Sequence, residues 1–277
     1  MTTEEVLRAE EKSEKTTPER FDTPAVLTSG TLFSCLVRTY FVGAGFNTRG
    51  MQNIGFAYAM DPGLAAIYGA CPEALQDARR RYVRHYNTHP FWTPYMVGLF
   101  LNVERKVALG LFPGKFMENM RSTTMYTLSA IGDSFFSGSV LVFWSLVTAC
   151  LLISGQGAWA IGLGAFAFVS LQIFKAVTFF YGFQEGPSFL QRLKGWNLIN
   201  WGRRLKMVNG GLMVLLWILA WPEATIMWYD WLLSALIMAV SAWLVSTVHL
   251  SREILIVIAF GVYMSYPILK SLTAGLF

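Results

Sequence analysis

Two long apolar segments dominate the sequence: FFSGSVLVFWSLVTACLLI (Phe135–Ile153) and AWAIGLGAFAFVSLQIFKAVTFFYGF (Ala158–Phe183), separated only by SGQG (154–157). Each is close to the roughly 20 apolar residues that cross the hydrocarbon core of a bilayer as a helix. A short polar turn between two such helices is typical of a membrane hairpin. The pair predicts an all-α, polytopic integral membrane protein.

The composition of the whole chain favours the same class. Of 277 residues, 54% are hydrophobic and only 14% are charged, against about 25% charged in a typical soluble domain. The net charge of +5 is compatible with a nucleic-acid ligand. However, the basic residues lie beside apolar segments, where the positive-inside rule places them. We therefore expect the lipid bilayer, and no nucleic acid, as a partner.

Three further candidate spans lie on the C-terminal side of the hairpin, which gives about five spans within residues 132–277. Between the hairpin and these spans, a polar segment from Gln184 to Lys206 carries five basic residues, and we predict a cytoplasmic loop there. This orientation places the N-terminus in the cytoplasm and the C-terminus outside. The three candidate spans are Met207–Trp221, Ala224–Leu250 and Ile254–Phe277.

The N-terminal half has a different character. Residues 1–26 are rich in Glu, Lys and Thr, and we predict a disordered cytoplasmic tail. Residues 27–131 alternate short apolar pieces with polar clusters, and none of the pieces is long enough for a simple span. This pattern indicates amphipathic and re-entrant helices.

One amphipathic helix can be placed in detail, in PEALQDARRRYVRHY (72–86). Pro72 suits a first turn, and the segment from Asn87 to Pro90 ends the helix. A basic helix of this kind is suited to an anionic cytoplasmic leaflet, or it is a solvated helix on a soluble domain. Apolar and aromatic residues recur at helical spacing: Leu75, Ala78, Tyr82 and Tyr86.

Motifs of soluble enzymes fail on inspection. The segment Gly110–Phe116 resembles a phosphate loop, but its glycine spacing is one residue short and Phe116 replaces the Ser or Thr that holds magnesium. His85 and His89 are four residues apart, yet no nearby carboxylate completes a metal site, so a cap or interfacial contact is favoured for His89. The sequence therefore predicts no catalytic residue, metal or cofactor.

Two carboxylates stand in apolar surroundings, Glu104 and Asp133. Ionisable groups at membrane depth are costly and are functional candidates by default. For Glu104 the alternative is a local pair with Arg105 or Lys106. For Asp133 the alternative is a cap at the N-terminus of the apolar helix that follows. Both roles are compatible for Asp133.

A dense polar cluster lies between aromatic and glycine residues in FVGAGFNTRGMQNIGFAY (41–58). Amides both donate and accept hydrogen bonds to sugar hydroxyls, and an aromatic face covers the apolar side of a sugar ring. A loop between membrane-surface helices has a similar composition. The polar residues are Asn47, Arg49, Gln52 and Asn53.

At several points the chain resembles the IID membrane subunit of mannose-family sugar phosphotransferase systems (the mannose/fructose/sorbose family). Residues 46–60, FNTRGMQNIGFAYAM, are similar to the family's W-N-x-E-R-M-Q-x-x-G-F-x-x-x-M block. Tyr86–Phe91 resembles its F-N-T-x-P-F element, and Gly132-Asp133 its G-D-P motif. Tyr181–Gly186 resembles its Y-G-Y-x-x-G element. The matches occur in the order of the family motifs.

The resemblance implies a multi-pass permease subunit in the bacterial cytoplasmic (inner) membrane. In this family, IID pairs with a IIC membrane subunit as a trimer of heterodimers and carries a hexose-type sugar inward. Cytoplasmic IIA and IIB proteins relay phosphate from phosphoenolpyruvate to the sugar. The phosphorylated histidines belong to IIA and IIB, so a IID subunit is not catalytic by itself.

Carried over residue by residue, Asn47 matches the family's sugar-side asparagine, and Glu104 matches the glutamate of its L-x-L-E element. Phe46 stands where the family usually has Trp. With the polar cluster and the carboxylate of the G-D-P motif, these residues make up the expected substrate site. It comprises Phe46, Asn47, Arg49, Gln52, Glu104 and Asp133.

Two departures from the family pattern leave two hypotheses open. Arg49 replaces a glutamate, so an acceptor of sugar hydroxyls becomes a cation that only donates. Gly50 occupies the position of the family's arginine, and Ser134 replaces the proline of G-D-P. The chain is then either a permease subunit with an altered sugar site or a degenerate IID. The second would serve as a structural or regulatory partner without transporting sugar.

Overall fold

The computed structural model describes residues 26–220 and a few single positions between residues 232 and 257. Residues 26–220 belong to one compact unit. The predicted tail before Val26 lies outside the described residues. Apart from those single positions, so do the predicted spans Ala224–Leu250 and Ile254–Phe277.

Within residues 26–220 the chain is helical, and its extended pairing is confined to isolated bridges. This confirms the all-α class. Short 3₁₀ segments at Thr39–Gly45 and Gly186–Ser188 and a π-helical segment at Asp133–Val140 connect α-helices. The α-helices are α1 (Ser29–Arg38), α2 (Asn53–Tyr68), α3 (Pro72–Tyr82), α4 (Thr93–Ala108), α5 (Gly114–Gly132), α6 (Leu141–Ile153), α7 (Gly157–Glu185), α8 (Phe189–Gly195) and α9 (Leu198–Ala220).

The predicted hairpin is present. Two helical stretches, Asn119–Ile153 and Gly157–Gly195, are long and apolar enough to cross a membrane. Gly155 in the turn between them has a φ of +72°, a conformation that glycine adopts without steric cost. Large apolar side chains near the turn are exposed, Trp159 by 71% and Ile161 by 75%, as expected of a lipid-facing surface. The count of about five spans stays a prediction.

The first crossing helix begins earlier than the apolar run predicts. Helix α5 continues without a break through the π-helical segment into α6. The predicted domain boundary between residues 131 and 132 lies inside this continuous helix, and the division into two halves stays a prediction.

The predicted loop from Gln184 to Lys206 is wrong, because most of it is helical. It contains the end of α7, all of α8 and the first turns of α9. The basic side chains of this segment are compatible with a helix because they are exposed to its surroundings, while Phe189 and Leu193 are buried. Residues 207–220 of the predicted span belong to the longer helix α9, which begins at Leu198. Whether this segment crosses the membrane stays a prediction.

Helix α4 forms the centre of the hydrophobic core. Its side chains are buried almost throughout, and α7 packs along it at backbone contact. A Cβ atom on Gly182 of α7 would lie 2.6 Å from the Tyr95 carbonyl oxygen and 2.9 Å from the Leu99 nitrogen of α4. Asn102 also ties the two helices, because its Nδ2 donates to the Phe183 carbonyl at 2.7 Å.

Helix α3 begins at Pro72 as predicted, and Ala78 and Tyr82 are buried. The predicted continuation to Tyr86 is wrong, because α3 ends at Tyr82. The Val83 carbonyl accepts a hydrogen bond from Nδ2 of Asn53, and the backbone of Tyr86 forms a parallel bridge with Met51. Contacts from a distant part of the sequence thus replace the next helical turn.

Candidate functional site

Asn47 closes the turn that precedes α2. Its Oδ1 accepts hydrogen bonds from the backbone nitrogens of Gly50 (2.7 Å) and Arg49 (3.2 Å). Its Nδ2 donates to Oδ1 of Asn53 at 2.8 Å. The backbones of Asn47 and Met51 exchange two further hydrogen bonds, at 2.8 and 2.9 Å. Both polar atoms of the Asn47 side chain therefore stabilise this turn.

The turn packs against the second motif, at residues 86–89. The Gln52 nitrogen donates to the Tyr86 carbonyl at 2.8 Å, and the Tyr86 nitrogen donates to the Gly50 carbonyl at 3.1 Å. The rings of Phe56 and Tyr86 stack with their centroids 3.8 Å apart. Oε1 of Gln52 accepts from the Thr88 nitrogen at 3.4 Å. The two sequence motifs, residues 46–53 and 86–89, thus form one structural unit, the turn unit.

Phe46 and Arg49 point outward from this unit. The side chain of Phe46 is 58% exposed, and Arg49 is exposed as well. No carboxylate whose side chain the structure describes forms an ion pair with Arg49. The Phe46 ring and the Arg49 guanidinium are therefore both accessible to a ligand or partner.

Replacing Asn47 with alanine is expected to lower the free energy of unfolding by about 1–3 kcal/mol, because the nitrogens of Arg49 and Gly50 and the Asn53 amide lose their partner. The measurement is thermal unfolding of the purified chain in detergent. Thr48→Ala is the matched control, since Thr48 is an exposed residue of the same turn. Equal melting temperatures for the two variants would contradict this role of Asn47.

Glu104 is fully buried and fully paired. Nη2 of Arg81 lies 2.9 and 3.1 Å from its two carboxylate oxygens, and the Tyr68 hydroxyl donates to Oε2 at 2.6 Å. Burial raises the pKa of Tyr68, and the charge of Glu104 raises it further, so this phenol stays protonated and donates. The carboxylate joins α2, α3 and α4 in the interior.

The alternative role for Glu104, a local pair with Arg105 or Lys106, is wrong. The guanidinium of Arg105 lies over the ring of Phe183, 5.5 Å from its centroid. The ammonium of Lys106 lies over Phe112 at 5.7 Å. Neighbouring positions on a helix do not face each other, so the adjacent cations point away from Glu104.

Asp133 does not cap the start of a helix. Its φ of −62° and ψ of −43° are helical, whereas an N-cap residue is extended. The prediction is wrong because α5 is helical up to Gly132 and continues into the π-helical segment. The Asp133 side chain is exposed at the first residue of that segment.

The π-helical segment was not predicted from the sequence. Its Ser139 hydroxyl donates to the Ser134 carbonyl, five residues earlier, at 2.9 Å. The Ser139 carbonyl in turn accepts from Nδ2 of Asn209 in α9 at 3.0 Å. Short π-helical insertions occur frequently at functional sites. The sequence carries no periodicity that marks this one, although the family's proline position, Ser134, falls inside it.

His89 connects the turn unit to the π-helical segment. Its Nδ1 accepts from the Phe91 nitrogen at 3.2 Å, just before α4, and its Nε2 lies 3.0 Å from the Ser137 hydroxyl. Burial lowers the pKa of His89, with Asp133 opposing and Lys175 adding to that shift. A neutral ring that accepts at Nδ1 carries its proton on Nε2, and donates it to Ser137. The cap expected from the sequence is wrong, because α3 ends at Tyr82 and no side chain caps α4 at Trp92. The interfacial contact for His89 stays a prediction.

The predicted site residues therefore occupy three places. Phe46, Asn47, Arg49 and Gln52 share one turn. Asp133 lies at the π-helical segment, which His89 links to that turn unit. Glu104 is enclosed among α2, α3 and α4. Sequence reasoning does not find Arg81, Tyr68 and Ser137, because their partners are distant in sequence.

Comparison with known proteins places these motifs in a family. A family model described as EIID-AGA, PTS system mannose/fructose/sorbose family IID component, matches residues 26–219. The Fructose permease IID component of Bacillus subtilis (strain 168) is 29% identical over 174 residues, which is 61% of this chain and 62% of that protein. The PTS system mannose-specific EIID component of Escherichia coli (strain K12) is 26% identical over 163 residues, 58% of this chain and 56% of that one. This chain thus matches about three fifths of the length of these relatives.

Solved structures show the same fold. One described as "Structure of membrane protein" has a TM-score of 0.70 at 19% identity, covering 87% of this chain and 97% of that one. A chain from a structure of the mannose transporter ManYZ with microcin E492 has a TM-score of 0.50 at 21% identity, covering 88% and 97%. The likeness at these identities concerns the fold.

Proposed function

Because the chain belongs to the mannose/fructose/sorbose family of phosphotransferase system IID components, we propose that it is the IID subunit of a sugar permease and pairs with a IIC subunit. In this proposal the complex moves a hexose-type sugar across the bacterial cytoplasmic membrane. Cytoplasmic IIA and IIB proteins supply phosphate from phosphoenolpyruvate, and this chain is not catalytic by itself. The observation that carries the proposal is the family match over residues 26–219.

The outward face of the turn unit supports a role in sugar binding. Phe46 offers an aromatic face for the apolar side of a sugar ring, and Arg49 offers donors to hydroxyl oxygens. Gln52 lies in the same turn, and Asn47 holds the turn in shape. In the proposal the first three contact sugar and Asn47 is a positioning residue.

The two carboxylates take different parts in the proposed site. Asp133 is exposed beside the π-helical segment, so it is available to accept sugar hydroxyls. Glu104 acts as a positioning residue, because its ion pair with Arg81 fixes α3. The residue that follows α3, Val83, accepts a hydrogen bond from Asn53 of the turn unit.

The proposed assembly is a trimer of IIC–IID heterodimers in the inner membrane. The exposed apolar side chains of α7 are compatible with contact to lipid or to a partner helix. The five basic residues between Gln184 and Lys206 favour a cytoplasmic position for that segment. The N-terminus is then cytoplasmic and the C-terminus external.

The direct test is uptake and phosphorylation of sugars in membranes that contain this chain with its IIC and IIB partners. Mannose, glucose, fructose, sorbose and amino sugars are compared, with omission of this chain as the control. Accumulation of one phosphorylated sugar that requires this chain supports the proposal. Its absence for every sugar, in a complex shown to be assembled, contradicts it.

Arg49→Glu is expected to change the ratio of the uptake rates of two sugars by about ten- to a hundredfold. This factor corresponds to the free energy of one hydrogen bond to a charged group. The variant restores the carboxylate that the family pattern has at this position. Because Arg49 is exposed, we expect an unchanged melting temperature. Unchanged sugar preference would remove Arg49 from the sugar site.

The second candidate function is a degenerate IID that supports its partners without transporting sugar. The observation that favours it is Arg49 together with Ser134, each at a position where the family pattern has another residue. An assembled complex that transports no sugar, and that still transports none when it carries Arg49→Glu, would support this alternative.

A further inference from the structure

A cleft separates α5 from the chain that joins α8 to α9, with a volume of about 480 Å³. One wall is formed by α5, which contributes the hydroxyls of Thr123 and Thr127 and the apolar side chain of Leu128. The opposite wall contributes Leu193 and Leu198. Lys194 also lines the cleft and is exposed. The cleft is therefore mostly apolar, with hydroxyls and one cation on its lining.

The position of the cleft relates it to the membrane surface. Lys194 is the penultimate residue of the Gly157–Gly195 stretch that is long and apolar enough to cross a membrane. Trp196 and Trp201 follow within a few residues, and tryptophan is enriched where helices leave the hydrocarbon core. We therefore expect the cleft at the level of the lipid head groups.

The charge around the cleft favours an anion. Residues 186–206 contain five basic residues and no Asp or Glu. Arg192 is paired with Glu185 at 2.9 Å, and the Arg204 guanidinium lies over Trp201, 5.2 Å from the ring centroid. Lys194 forms no ion pair with any of the carboxylates whose side chains are described. Its ammonium is the cation left for an anionic ligand at the cleft.

We propose that this cleft binds one anionic phospholipid of the surrounding leaflet. The acyl chain lies against the accessible apolar residues of the lining, Ile131, Leu198 and Ile199. The phosphate pairs with Lys194, and the hydroxyls of Thr123 and Thr127 donate to ester oxygens. Basic pockets between membrane helices on the cytoplasmic side are suited to such head groups. The inference requires only that the chain lies in a membrane and is independent of sugar transport.

Lys194→Ala is expected to weaken binding of phosphatidylglycerol by about fivefold, the effect of removing one basic residue near an anionic surface. Lys194→Arg is expected to retain binding. The measurement is native mass spectrometry of the purified full-length chain in detergent, titrated with phosphatidylglycerol or with phosphatidylcholine. Arg203→Ala is the matched control, because it removes an exposed charge of the same segment outside the cleft.

A second variant tests the apolar part of the cleft. Thr127→Trp places a bulky ring in the space assigned to the acyl chain and should prevent binding of both lipids, while exposed Thr127 leaves the core intact. Three results would overturn the proposal. They are equal affinity for the two lipids, equal loss in Lys194→Ala and Arg203→Ala, and undiminished binding of phosphatidylglycerol by Thr127→Trp.

Discussion

Replacing Glu104 with alanine is expected to lower the free energy of unfolding by about 3–5 kcal/mol, because one partner of a buried ion pair is removed and the other is left uncompensated. Arg81 would keep its charge beside the cavity, with its side chain only 23% exposed. Tyr68 would lose the acceptor 2.6 Å from its hydroxyl. The measurement is chemical or thermal unfolding of the purified chain in detergent.

The control for this prediction is Asp61→Ala. Asp61 pairs with Arg79 at 2.8 Å, but its side chain is 39% exposed and that of Arg79 is 51% exposed. Exposed pairs contribute about 0–1 kcal/mol, so Asp61→Ala should have a small effect. If the two variants unfold together, Glu104 does not have the structural role that its contacts indicate.

A double variant separates the cost of an unpaired charge from the value of the pair. Removing both partners leaves no buried charge, so Glu104→Leu with Arg81→Leu should destabilise less than the two single changes added together. The same proteins distinguish structure from transport. A Glu104 variant that loses sugar uptake while keeping its melting temperature would assign the carboxylate to the sugar itself and would contradict the proposed positioning role.

The partners of Glu104 could not be predicted from the sequence. A solitary carboxylate among apolar residues is recognisable as unusual in the sequence, but the adjacent cations Arg105 and Lys106 are not its partners. Arg81 is 23 residues away and Tyr68 is 36. Only the packing of α2 and α3 against α4 brings them together, and no periodicity within one helix encodes that packing.

Features set by local sequence were predicted well. The hairpin follows from the length of two apolar runs, and the start of α3 follows from Pro72. Helix ends were predicted less well, because they depend on what the next residues contact. Tyr86 continues the helical spacing of α3, yet its backbone bonds to Gly50 and Gln52 instead. Asp133 resembles a cap, yet the helix before it does not stop.

Charge was a poor guide to local conformation. The basic residues after Glu185 predicted a loop, but a helix can carry charges on one side and bury residues such as Phe189 on the other. The same charges remain informative about orientation and ligands, because these depend on the electrostatic field and not on the backbone. The proposal that an anionic phospholipid binds beside Lys194 rests on the charge of this segment.

Replacing Gly98 or Gly182 with alanine is expected to destabilise the chain by about 3 kcal/mol, since an added methyl group would meet backbone that cannot move aside. A Cβ atom on Gly98 would overlap the Phe179 carbonyl of α7. One on Gly182 would lie 2.6 Å from the Tyr95 carbonyl of α4. The two glycines thus allow α4 and α7 to touch, as small residues do between membrane helices.

The matched control is Gly162→Ala, in the same helix α7. A Cβ atom at Gly162 would have no atom within 4 Å, so this variant should be neutral or stabilising by up to about 1 kcal/mol from helix propensity. Melting temperatures of the three purified variants in detergent provide the comparison. Equal values would mean that α4 and α7 separate at little cost. Helix propensity alone favours alanine at all three positions. Melting temperatures that are much lower for the Gly98 and Gly182 variants than for Gly162→Ala would therefore show that this contact holds α4, which carries Glu104, to the membrane hairpin.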